Sequence, residues 1–167
     1  MPKTKFTLPG LSEETAAKVV AILQDRLVSY SDLHLTLKHV HWNVVGPNFI
    51  AVHEMIDPQV DAVRLFADAA AERIAALGAS PKGTPGAIVS GRTWDDYGLG
   101  RDTVQHHLEA LDKVYDGVIE SNRKEMDELE DLDLVTQDML IEHTEALEQF
   151  HWFIRAHLEN AAGAIPA

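Results

Sequence analysis

Residues 12–48, SEETAAKVVAILQDRLVSYSDLHLTLKHVHWNVVGPN, decide the architecture. Within them Ala16, Val20, Leu23, Leu27, Tyr30, Leu37 and Val44 fall on one stripe of alternating four- and three-residue steps, and His34 and His41 occupy its remaining positions. Such spacing is the one-sided apolar pattern of an amphipathic helix. Ser12 offers an N-cap hydroxyl, Glu13 and Glu14 put carboxylates where the helix dipole favours them, and Gly46-Pro47-Asn48 stops the run. One helix of roughly 34 residues, about 50 Å long, is expected.

The same period continues outward. A second helix follows the turn on Phe49, Val52, Ile56, Val63, Ala67, Ala70, Ile74 and Leu77, with Gly78 beyond its end and Pro58 inside it, where a kink is expected. A third is expected from about Asp102 to Leu129 on Val104, Leu108, Leu111, Tyr115, Val118 and Ile119, and a fourth from about Asp133 to Asn160 on Leu140, Leu147, Phe150, Ile154 and Leu158. Residues 78–100 are rich in Gly and Pro, with Thr93-Trp94-Asp95-Asp96-Tyr97 expected to form a short helical turn. A connection of this length suits a crossover between two helices that point the same way. The alternation and hairpin turns of a sheet are absent. The reading is an all-α four-helix bundle with a short helix in the long crossover between the second and third helices, one domain over 1–167, with 1–11 as an N-terminal extension and 161–167 as a short C-terminal tail.

Composition narrows the chemistry. Fourteen Lys and Arg against 27 Asp and Glu leave a formal charge of −13, which excludes a globally basic nucleic-acid binder. Without cysteine there is no disulfide, thiolate nucleophile or Cys-based metal site, so metal binding falls to the carboxylates and the nine His. Met1 to Gly10 holds no apolar run of signal-peptide length, and nothing approaches the roughly 20 apolar residues of a membrane span, so a cytoplasmic location is expected.

His41 lies five residues before Gly46 and His53 five residues after Asn48, so an antiparallel helix pair sets them at one height. His53 and Asp57 are four apart on one face of the second helix, as are Asp68 and Glu72 further along the same stripe. Imidazole with carboxylate is a ligand set for iron, manganese or zinc. His53 and Asp68, however, are 15 residues apart, about 22 Å along a helix. A single chain cannot close that gap. An antiparallel copy of the same helix, crossing near Ala62 and Val63, sets His53 opposite Glu72 and Asp57 opposite Asp68, so a two-fold dimer generates two sites that draw on both subunits.

The segments from Leu33 to Phe49, from Val52 to Asp57 and from Asp68 to Ile74 carry a resemblance to the Dps mini-ferritins, and Thr93 to Tyr97 and Phe150-His151-Trp152-Phe153 extend it over nearly the whole chain. The resemblance implies a ferritin-like hollow homo-dodecamer that oxidises Fe(II) to Fe(III), preferentially with hydrogen peroxide, and stores ferric oxyhydroxide. It also implies His41, His53, Asp57, Asp68 and Glu72 as ferroxidase iron ligands. Trp42 and Trp152 read either as aromatic core and interface residues or as indoles that give an electron when peroxide takes more than the metals have delivered. The acidic run from Glu125 to Asp133 reads as a solvated connector. In shells of this type carboxylates at the start of the last helix line an iron-entry pore, for which Asp138, Glu142 and His143 are the candidates.

Two rivals fit less of the sequence. His53-Glu54-Met55-Ile56-Asp57 resembles a zincin helix but lacks its second His, and it leaves His41, Asp68 and Glu72 without a role. A single-chain di-iron bundle needs two Glu-x-x-His motifs, and only Glu148-Gln149-Phe150-His151 fits. DNA binding is doubtful, because the basic terminal tails that serve it are reduced here to Lys3 and Lys5 and the C-terminal residues after Glu159 are uncharged. Plasmid DNA should therefore not be retarded by the protein at about 0.15 M salt and neutral pH. Salt-sensitive retardation that disappears on removing residues 1–5 would overturn this expectation.

Overall fold

The computed structural model describes residues 8–161, with side chains through Glu159. Residues 1–7, which include Lys3 and Lys5, and residues 162–167 of the expected tail lie outside the described residues. Four long helices form the bundle: α1 (Glu13–Asn43), α2 (Phe49–Ala76), α4 (Val104–Glu130) and α5 (Leu134–Ala161). A short α3 (Pro85–Gly91) interrupts the crossover, and two-residue strands β1 (Val44–Val45) and β2 (Asp102–Thr103) pair beside it. α1 packs on α2 and α4 on α5 as two hairpins. No described helix is long and apolar enough to cross a membrane.

Local chemistry sets the ends of these elements. The Ser12 hydroxyl accepts from the Thr15 amide at 3.1 Å, as the N-cap reading of α1 requires. α2 runs unbroken through Pro58 and closes on Gly78 at φ +83°. There the Gly78 amide donates to the Ala75 carbonyl and the Ala79 amide to Ile74, two bonds that satisfy carbonyls the helix end leaves over and that need a left-handed residue between them. The Thr103 hydroxyl caps α4 by accepting from the His106 amide.

Two expectations are corrected. α1 stops at Asn43, because Val44 and Val45 turn extended and pair in parallel with Asp102 and Thr103. This latch sets the start of α4 beside the α1–α2 turn, so α2 and α4 point the same way and the long connection is a crossover. The short helix is α3 at Pro85–Gly91 and not Thr93 to Tyr97. Pro85 occupies its first turn, where a missing N–H costs nothing. Residues 93–97 are held by side chains instead: Trp94 Nε1 donates to Asp32 at 2.6 Å, Arg92 bridges Asp32 and Asp96, and the Tyr97 hydroxyl meets His107 Nδ1 at 2.9 Å.

The core divides into two apolar clusters. One contains Leu33, Leu37, Val52, Ile56, Leu111 and Leu147; the other contains Ala16, Leu23, Ala70, Ile74, Leu129 and Leu140. Fully buried Asn122 bonds across the bundle. Its amide nitrogen lies 3.0 Å from both the Tyr30 hydroxyl and Thr144 Oγ1, and its oxygen accepts from the Arg26 guanidinium. Arg26 also donates to Ser121 at 2.7 Å and pairs with Glu125. His143 is buried as well, stacked on Phe66 with ring centroids 4.2 Å apart and edge-on to Tyr30. Burial pushes its imidazole pKa down to about 4.

Asn122→Ala strips partners from Arg26, Tyr30 and Thr144 together, and should cost about 2–3 kcal/mol, read as a lower melting midpoint. A midpoint within about 1 °C of wild type would contradict the cross-link. For His143 the folded pKa lies below the unfolded one, so stability is fully present above about 6.5 and is lost as pH falls toward about 4. Between pH 7 and pH 5 the group should account for roughly 2 kcal/mol, and His143→Leu should flatten the pH dependence of the melting midpoint by that amount.

Candidate metal centre

His41 closes α1 and His53 opens α2, and the intervening turn folds the second helix back against the first. The turn depends on two left-handed residues, Gly46 at φ +102° and Asn48 at φ +63°. The imidazoles stack with centroids 3.6 Å apart and planes 25° apart. His41 Nδ1 lies 3.1 Å from the His53 carbonyl oxygen, and His53 Nδ1 lies 3.0 Å from that of His41. A carbonyl oxygen only accepts, so each Nδ1 carries a proton, and the neutral form of either ring is the tautomer that leaves Nε2 as the lone-pair donor. Among the described residues neither Nε2 has a hydrogen-bond partner. This is the arrangement in which a backbone acceptor fixes tautomer and ring orientation for a metal-ligating histidine.

Asp57 joins them. Its Oδ1 lies 3.1 Å from His41 Nδ1 and 3.1 Å from the Lys38 ammonium. The hydrogen bond from Lys38, helped by the neighbouring His41, holds this half-exposed carboxyl below its ordinary value. It is thus an ionised, acceptor-only group at neutral pH. Lys38 is the member that the sequence reading missed. Its signal was present, since a residue one turn before His41 on α1 shares its face.

Asp68 and Glu72 stand apart from this group. Both are exposed on α2, with no hydrogen bond or ion pair among the described residues. The unbroken helix carries them away from His53 by about 1.5 Å per residue. The chain by itself brings together His41, His53 and Asp57, and leaves Asp68 and Glu72 as a second, separate pair. Half-buried Ala62 lies midway between the two sets. Leu65 nearby is 55% exposed.

Trp42 and Trp152 are surface residues of the subunit, at 70% and 57% exposure, so neither is core. The Lys38 ammonium lies 5.8 Å from the centroid of the Trp42 ring. Asp138 and Glu142 are exposed on the first turns of α5, whereas His143 is 5% exposed and turned into the bundle. The acidic connector is only partly solvated. Glu125 is engaged by Arg26, and Asp133 receives Arg73 at 2.7 Å. Burial works against the Asp133 charge, but hydrogen bonds from Thr136 and Arg73 hold its carboxyl below the ordinary value.

Two imidazole nitrogens and a carboxylate form a donor set for a divalent first-row metal, with positions left open for further ligands. Comparison with known proteins places the chain in a family. The ferritin-like domain model matches residues 20–164. The chain is 67% identical over 162 residues to the DNA protection during starvation protein of Mycolicibacterium smegmatis, covering 97% of this chain and 88% of that relative. The solved tetragonal form of Mycobacterium smegmatis Dps superposes with a TM-score of 0.94 at 67% identity, over 97% of this chain and 98% of the other. DpsA14 from Streptomyces coelicolor gives a TM-score of 0.94 at 57% identity, covering 99% of each chain.

Proposed function

The chain belongs to the Dps family of ferritin-like proteins, and from that premise we propose that it is a ferroxidase that oxidises Fe(II) to Fe(III), preferentially with hydrogen peroxide, and stores the ferric oxyhydroxide inside a hollow homo-dodecamer. The observation that carries this reading is the reciprocal His41–His53 pair, which holds two imidazoles with both Nε2 atoms free beside the ionised Asp57. Iron is the substrate and the cargo. Each Fe(II) gives up one electron, one peroxide takes two, and the O–O bond breaks to oxygen at the level of water, so that paired metals release no hydroxyl radical.

The centre is completed between subunits in this reading. His41, His53 and Asp57 of one chain meet Asp68 and Glu72 of its two-fold mate, with the helices crossing near Ala62. Two features support it: the unpaired carboxylates of Asp68 and Glu72, and the exposed apolar side chains of Trp42, Ile50 and Leu65 along the α1–α2 hairpin. Asp57 must exchange Lys38 for metal as iron arrives, and the freed ammonium stays as a positive group beside the Trp42 indole. Trp42 and Trp152 are proposed as emergency electron donors. Asp138 and Glu142 are proposed to attract Fe(II) at the entry pore, while the buried side of α5 that His143 occupies keeps that residue out of it. The protective role is chemical, the removal of Fe(II) and peroxide together.

Light scattering should give about twelve times the 18.5 kDa chain mass, and a stable, fully active monomer would sink the shared site. His53→Ala and Glu72→Ala proteins should each lose most peroxide-dependent iron oxidation. In a verified mixed dimer of the two, one interface site regains every ligand while the other lacks both, so co-assembled shells should recover part of the rate. No recovery in confirmed mixed shells means that the site is built within one chain.

A further inference from the structure

A second group of metal-ligating side chains lies on the other hairpin. Asp112 and Asp116 are four residues apart on α4 and face His151 on α5. His151 is 5% exposed, and its ring lies parallel to that of Tyr115, with planes 8° apart and centroids separated by 6.0 Å. Tyr115 is in turn fixed by a 2.6 Å hydrogen bond from its hydroxyl to Gln59 on α2. The imidazole is therefore packed from behind, with one polar edge turned outward. Its Nε2 lies 2.7 Å from Asp112 Oδ1 and 3.7 Å from Asp116 Oδ1. One ligand atom from each residue falls within 4.8 Å of the others.

The electrostatics call for a cation. Two carboxylates at i, i+4 repel one another, and no Lys or Arg pairs with either among the described residues. A single imidazole cannot answer both. A tetrahedral metal with bonds of about 2.1 Å sets its donors about 3.4 Å apart. The observed 2.7 and 3.7 Å bracket that value, so small side-chain rotations suffice. One nitrogen and two carboxylate oxygens suit Zn(II), Fe(II), Co(II) or Mn(II), with water in the remaining positions.

We propose that Asp112, Asp116 and His151 form a second divalent-metal site, complete within one chain and separate from the His41–His53 centre. Metal entry displaces any proton shared between His151 Nε2 and Asp112 and clamps α4 to α5. In an iron-handling shell, the site holds Fe(II) at a position where no second metal is paired with it, so it stores the ion without oxidising it in pairs.

Zn(II) and Co(II) test the site independently of iron oxidation, because neither is oxidised there. Crystals of the full chain soaked in Zn(II) should show an anomalous peak at the zinc edge within about 2.2 Å of His151 Nε2 and an oxygen of each aspartate. Co(II) titration of the assembled protein should lose about one equivalent per chain in an Asp112→Asn/Asp116→Asn double variant. That equivalent should persist in His53→Ala/Glu72→Ala. Absence of the zinc peak in the wild-type crystal overturns the proposal even if the double variant fails to assemble, and so does an unchanged cobalt stoichiometry in a well-assembled double variant.

Discussion

A helix cannot return to its own beginning, and α2 runs continuously from Phe49 to Ala76 although Pro58 inside it lacks an amide hydrogen to donate. With about 1.5 Å of rise per residue, His53 and Glu72 belong to opposite ends of one rod. Everything proposed for the first metal centre depends on that constraint. The histidines are made ready locally, by a turn that trades backbone carbonyls for imidazole protons, but the acidic half of the ligand set is held at a distance no rotamer can cross. In the proposed site, assembly is thereby placed upstream of chemistry.

The two ends are held in fixed relation by a bundle with polar cross-links between its apolar clusters. Asn122 ties α4 to α1 and α5, Tyr115 ties α4 to α2 through Gln59, and Arg73 ties α2 to the start of α5 through Asp133 and Thr136. Hydrophobic burial alone is permissive about helix rotation and sliding, whereas directional bonds between buried groups are not. These bonds fix which faces remain outside. The faces that remain outside carry Asp68, Glu72, Leu65 and Trp42.

Much of this was legible from periodicity, because the long helices bury residues at four- and three-residue intervals, although α1 also buries Val19, Ile22, Val28 and Leu33 beside its stripe. Ala16, Leu23, Tyr30, Leu37, Ile56, Ile74, Leu111 and Leu147 are all fully buried as that spacing requires. The crossover was legible as a length but not as a shape. Trp94 and Tyr97 look helical in composition, yet their hydrogen bonds go to Asp32 and His107, partners 62 and 10 residues away that no local pattern announces. A two-residue strand is likewise too short to show alternation. At the metal centre the position of the histidines around the turn was readable, while the tautomer was not, since it depends on carbonyls across the hairpin. His143 sits in the acidic neighbourhood by sequence and in an aromatic sandwich by structure, because Asp138 and Glu142 lie on a different face of α5.

The small parallel latch between Val44–Val45 and Asp102–Thr103 has a kinetic consequence. Each hairpin is assembled from segments that follow one another along the chain, so its contacts close short loops and form early. The latch must bring the α1–α2 turn to the start of α4 across all of α2 and the crossover, and its few hydrogen bonds repay little of that ordering. It should therefore be among the last contacts made and the first released. Until the latch and the cross-links between the hairpins form, the inner faces of the two hairpins are open to any other hairpin of the same sequence. If the subunits assemble as proposed, exchange of a hairpin between neighbouring chains is the misassembly route that this topology leaves available.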